Sequence, residues 1–110
     1  MPKSFIYIIC YQTTSYSNHQ IAKEVYFDIE NAKQNIDKLG TIYTIEITNT
    51  QFTEWQNLNK LYVVMRNSVD KDAFNTPIAI FDNITDAKNT YHDYEYKKKT
   101  FKINECFIRN

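Results

Sequence analysis

The chain writes one phrase twice. Val25 to Lys33 reads VYFDIENAK and Ile80 to Lys88 reads IFDNITDAK, and the two align at Ala32-Lys33 and Ala87-Lys88 with an offset of 55 residues. The same offset carries Tyr7 onto Tyr62, Ile8-Ile9 onto Val63-Val64, Cys10 onto Met65, Val25-Tyr26 onto Ile80-Phe81 and Ile29 onto Ile84. No gap is needed from the first strand to the end of the helix, which points to a duplicated unit. A chain of 110 residues holds one domain, or two very small units that share a core.

Each unit reads by period. Phe5 to Tyr11 and Leu61 to Met65 are continuous β-branched and aromatic runs, the pattern of central strands covered on both faces. A polar loop follows each, then a second strand, Glu24 to Phe27 and Ile78 to Phe81, the latter with Pro77 at its start where a missing N–H does least harm. Asp28 and Asn83 are suited to cap the helices that follow, and Glu30 and Asp86 place acids in their first turns. Apolar residues then recur at 29, 32, 36 and 39, and at 84, 87, 91 and 94, one stripe of an amphipathic helix in each unit. Gly40 suits the left-handed position after the first helix, while Lys97, Lys98 and Lys99 stand at the negative end of the second. Closing strands follow at Ile42 to Thr48, with Tyr43, Ile45 and Ile47 on one face, and at Phe101 to Ile108.

The expected architecture is α+β: two tandem ββαβ units, about 4–48 and 60–108, in a single domain spanning 1–110. A linker at 49–59, NTQFTEWQNLN, carries a short helical turn between them. The sheet is expected to be largely antiparallel, with two helices packed on one face.

Composition excludes several function classes. Thirteen basic and thirteen acidic residues cancel, so no global field selects nucleic acid or an anionic membrane. The N-terminal apolar run is too short to span a bilayer and has no signal-peptide pattern, so a soluble cytoplasmic protein is expected. Cys10 and Cys106 sit in apolar runs at opposite ends of the chain; two buried free thiols are expected, and a disulfide only if the terminal strands are neighbours. With one glycine no phosphate-cradling loop can form, and neither paired cysteines nor a His-Glu-x-x-His motif is present. His19 lies in a polar loop and His92 off the apolar stripe, and Asp70 and Asp72 share a polar loop, so each reads as solvated surface. No catalytic residue, metal or other cofactor is therefore expected, and the chain reads as a non-enzyme.

Two binding signals remain. Tyr11, Tyr16, Phe52, Trp55, Phe74 and Tyr96 lie in or beside loops and strand ends, and Tyr and Trp dominate protein–protein hot spots. Of these, Trp55, Tyr11, Tyr16 and Phe74 are the candidate partner contacts, alongside strand addition or self-association at an unpaired sheet edge. The alternative partner is nucleic acid, held by Lys97, Lys98, Lys99 and Lys102, where cations interleave with aromatics.

Asn, Ile, Lys and Tyr number 12, 14, 11 and 9, against one Gly, five Ala, two Arg and two Pro, the bias of an AT-rich genome. The strand running into Phe27-Asp28 and ending at Ala32-Lys33, its counterpart from Phe81-Asp82 to Lys88, and the closing Ile45-Glu46 strand are similar to small ββαβ-repeat proteins of AT-rich phages and large DNA viruses. The resemblance is structural and implies no activity. It implies a virus- or mobile-element-encoded accessory or virion component, in the host cytoplasm or the particle, that acts by binding.

Overall fold

The computed structural model describes residues 3–12, 20–66, 76–92 and 101–109. Nine elements follow in order: β1 (Lys3–Gln12), β2 (Gln20–Tyr26), α1 (Ile29–Asn35), β3 (Gly40–Thr48), α2 (Asn49–Trp55), β4 (Lys60–Arg66), β5 (Thr76–Phe81), α3 (Ile84–His92) and β6 (Phe101–Arg109). The fold is α+β. Its six strands form one sheet in the order β3-β1-β2-β6-β4-β5. β1 pairs antiparallel with β2 and β3, β4 pairs antiparallel with β5 and β6, and β2 runs parallel to β6.

The sheet curls nearly into a barrel. β3 and β5, at the two ends of the order, approach each other. All six strands send residues into one interior cluster: Ile6, Ile8, Cys10, Ala22, Val25, Ile47, Leu61, Val63, Met65, Ile80 and Cys106. Alternation decides who enters, since successive side chains of a strand point to opposite faces. Tyr7 and Ile9 therefore leave the interior and meet Tyr26 and Ala32 of α1, while Tyr62 and Val64 meet Ala87 of α3. Ala32 and Ala87 are fully buried, small where each helix lies against the sheet.

Two bulges disturb the alternation. Ile9 faces Glu24 but Cys10 faces Ala22, so Lys23 is the extra residue; Val64 faces Ala79 but Met65 faces Pro77, so Ile78 is. A bulge shifts the side-chain parity of its strand by one. It is why Ala22 and Val25, three apart, both point inward while Glu24 points out. Pro77 sits at this irregularity on a terminal strand of the order, where its missing N–H is tolerated.

Caps match the sequence expectation at both helix starts. Asp28 Oδ1 accepts from the Glu30 amide at 3.1 Å, and Asn83 Oδ1 accepts from the Asp86 amide at 2.8 Å. The ends do not. α1 stops at Asn35, short of the apolar stripe, because Ile36 is extended and Asp37 folds the next turn by accepting from the Leu39 amide at 2.9 Å. Leu39 is exposed, and so is Ile84 at the start of α3.

Gly40 corrects the expectation of a left-handed cap, since it has no positive φ. It opens β3 opposite Tyr11, and an added Cβ would lie 2.6 Å from Ile36 Cγ1 and 3.0 Å from Tyr11 Cε1. The glycine serves close approach. Gly40→Ala is expected to lower the free energy of unfolding by about 1–3 kcal/mol through overpacking. A urea titration checks this, and an unchanged midpoint would show that Ile36 moves aside freely.

The linker is more than a connection. Thr48 and Gln51 form a reciprocal capping box, with both hydrogen bonds at 3.0 Å, and start α2. α2 then places Trp55 in the interior cluster, and Phe52 meets Phe27 edge-on at 5.2 Å. Cys10 and Cys106 are buried in the same cluster as free thiols. Burial pushes the Cys10 thiol up to about 12 and raises Cys106 further, with the neighbouring Cys10 adding to the effect.

Candidate functional site

The parallel junction of β2 and β6 builds the most distinctive surface among the described residues. It pairs Glu24 with Phe107, Val25 with Ile108 and Tyr26 with Arg109. Cys106 and Ile108 point into the interior, so Glu105, Phe107 and Arg109 point outward along β6. The Lys23 bulge turns Glu24 to the same outer side. Above the bulge the main chains part, and the Asn104 side chain fills in: its Oδ1 accepts the Ala22 amide at 2.8 Å.

Glu24 is the hub of the polar contacts. Its Oε2 lies 3.1 Å from Arg109 Nε and accepts from the Tyr26 hydroxyl at 3.3 Å, while its Oε1 accepts from the Tyr11 hydroxyl at 3.4 Å. The Glu24 side chain is 22% exposed and that of Arg109 61%. Burial, followed by the charge of Glu24, pushes the Tyr11 phenol up to about 12; burial and Glu24 raise Tyr26 as well, with Arg109 opposing. Both phenols therefore stay protonated and keep donating at neutral pH. Lys23 Nζ lies 5.9 Å from the centre of the Tyr11 ring, within cation–π range.

Along β6, Lys60 Nζ meets Glu105 Oε1 at 2.8 Å, and this bond raises the lysine pKa. Lys23, Glu24, Glu105, Phe107 and Arg109 together line an open hollow of about 460 Å³. Phe107 is 59% exposed, the most exposed of the large apolar residues described. A solvated ring on a sheet face, framed by two ion pairs, suits contact with another macromolecule: the ring gains by burial and the charged rim orients the approach.

Of the sequence-expected partner contacts among the described residues, Tyr11 joins this surface and Trp55 does not. Trp55 is 4% exposed and belongs to the interior, which corrects its reading as a surface anchor. Its place in the linker suggested exposure, but a capped α2 swings it inward. Tyr11 is part-buried and bonded to Glu24. Tyr16, Phe74, Lys97, Lys98 and Lys99 lie outside the described residues, as do Tyr96, His19, Asp70 and Asp72. Lys102 is exposed on β6, opposite Met65. His92 is the last residue of α3.

Sequence reasoning passed over Glu24, Glu105, Phe107 and Arg109. The stretch ECFIR alternates, with Cys106 and Ile108 between three residues of the opposite face, and that pattern was the available signal.

No protein-family model, curated protein or solved structure matches the chain. Among the described residues no group of three or more His, Cys, Asp or Glu is placed to hold a metal ion, and no helix is long and apolar enough to cross a membrane.

Proposed function

We propose that this chain is a non-enzymatic protein-interaction module, built from two tandem ββαβ units, that binds through the outer face of the β2–β6 junction. The observation that carries the reading is Phe107, 59% exposed between the Glu24–Arg109 and Lys60–Glu105 pairs. An exposed aromatic with a charged rim is the surface pattern of a protein contact, where a few large residues carry most of the energy.

The duplication has support beyond the repeated phrase. The two bulge residues, Lys23 and Ile78, stand 55 positions apart, as do the interior pair Ile8 and Val63 and the outward pair Ile9 and Val64. α1 and α3 each pack against these outward residues, which supports two helices on one face of the sheet. In the closing strands the spacing grows: Tyr7 faces Thr44 and Tyr62 faces Glu105, a separation of 61. Two of the six added positions lengthen α3, nine residues against the seven of α1, and four fall between α3 and β6.

The AT-rich composition supports a virus- or mobile-element origin, with the protein acting in the host cytoplasm or the particle. The alternative, nucleic acid bound by the lysine segment, has Lys102 as its exposed cation on β6.

An affinity pull-down of tagged chain from its native lysate, with and without nuclease, tests the proposal. A stoichiometric protein is expected that survives nuclease and is reduced when Phe107 becomes alanine, by a loss of about 2 kcal/mol or more, roughly thirtyfold. Recovery that vanishes with nuclease, and depends on Lys102 instead, would move the function to nucleic acid.

A further inference from the structure

The geometry points to a second copy of this chain as the occupant of the β6 face, a proposal that rests on the interaction reading above. Glu105, Phe107 and Arg109 stand two residues apart on one side of the strand: an acid, a ring and a base in line. That order is self-complementary. Consider two copies face to face about a two-fold axis that passes between their Phe107 rings and lies across the strands. The strands then run antiparallel, so Glu105 of each copy meets Arg109 of the other on both sides of the paired rings. An axis along the strands would set acid against acid and base against base, so charge selects one of the two arrangements.

The intrachain contacts leave room for this. Glu24 takes the Nε edge of Arg109, one of five N–H donors on a guanidinium. Lys60 takes Oε1 of Glu105, and a carboxylate has a second oxygen. Lys60 and Glu24 then neutralise the charges from behind while each is shared across the interface. The face as a whole carries both signs, which suits a copy of itself better than a partner of one strong charge.

The two halves of the chain differ at this face. By the pairing of β1 with β3 and β4 with β6, the positions equivalent to Glu105, Phe107 and Arg109 are Thr44, Glu46 and Thr48. The acid–ring–base line is therefore present in the second half alone. A chain with one such face closes as a dimer and does not propagate into a filament.

Sedimentation equilibrium of the purified full chain over a range of loadings tests this. The mass is expected to rise from 13.1 kDa toward twice that value. Glu105→Arg and Arg109→Glu, made singly, each set like charges opposite one another and are expected to weaken self-association at least tenfold. Mixed in equal amounts the two variants are expected to pair, because two cations in one chain then face two anions in the other.

Surface ion pairs contribute little to stability, so folding should survive, and far-UV circular dichroism checks it. If a charge variant fails to fold, Phe107→Ser removes only an exposed ring and is expected to be monomeric. A native chain that stays at 13.1 kDa at every loading, or two charge variants that fail to pair on mixing, overturns the second-copy assignment. If the pull-down still yields a Phe107-dependent protein, the interaction reading survives that loss; if Phe107 matters in neither experiment, both fall.

Discussion

Replacing Trp55 with alanine is expected to lower the free energy of unfolding by about 3–5 kcal/mol, the cost of emptying a large aromatic site in a packed interior. The indole is 4% exposed and clusters with residues from all six strands. Its removal leaves a void that no single neighbour can fill, because Phe52, the other large apolar residue of α2, is already engaged edge-on with Phe27. Total stability in domains of this kind is about 5–15 kcal/mol, so the variant sits near the edge of folding. Urea denaturation followed by far-UV circular dichroism measures the change, since the only tryptophan is gone. The competing role, a solvent-facing anchor for a partner, makes the opposite forecast: binding lost, midpoint unmoved. That result would place Trp55 on the solvent side of α2.

Much of the architecture could be read from the residues because it is set locally. Alternation placed Tyr43, Ile45 and Ile47 on one face, and they line the interior together. Asp28 and Asn83 cap their helices because a short side chain with an acceptor oxygen reaches the first-turn amides whatever the rest of the chain does.

What could not be read depends on contacts between distant segments. The parallel pairing of β2 with β6 joins residues more than 80 positions apart, and no turn of defined length marks it. The Lys23 bulge has no glycine or proline to announce it, yet it decides that Glu24 faces outward. Without that shift the hub of the surface cluster would point into the barrel. Gly40 looked like a helix cap from its position alone, whereas its reason is the space taken by Ile36 and Tyr11. The candidate surface went unread for the same cause: Glu24 and Arg109 meet only once the two halves are joined.

Ile6→Ala and Leu61→Ala test that joining. The two positions stand 55 apart, both are fully buried, and both lie in the interior cluster. Each substitution is expected to cost about 2–5 kcal/mol. If the halves were independent units that merely touch, each change would destabilise its own half and unfolding would split into two transitions. A shared interior forbids this. Strands from both halves border the same cluster, and β2 is hydrogen-bonded to β6, so neither half retains its core when the other opens. A single cooperative transition is therefore expected for each variant, with its midpoint lowered at every probe. The double variant is expected to be largely unfolded in buffer, since the summed cost approaches the whole stability of such a domain. Two resolved transitions in either single variant would show that the halves fold separately, as two domains in contact. One transition would mean that neither half encloses its interior alone and that the two fold as one unit.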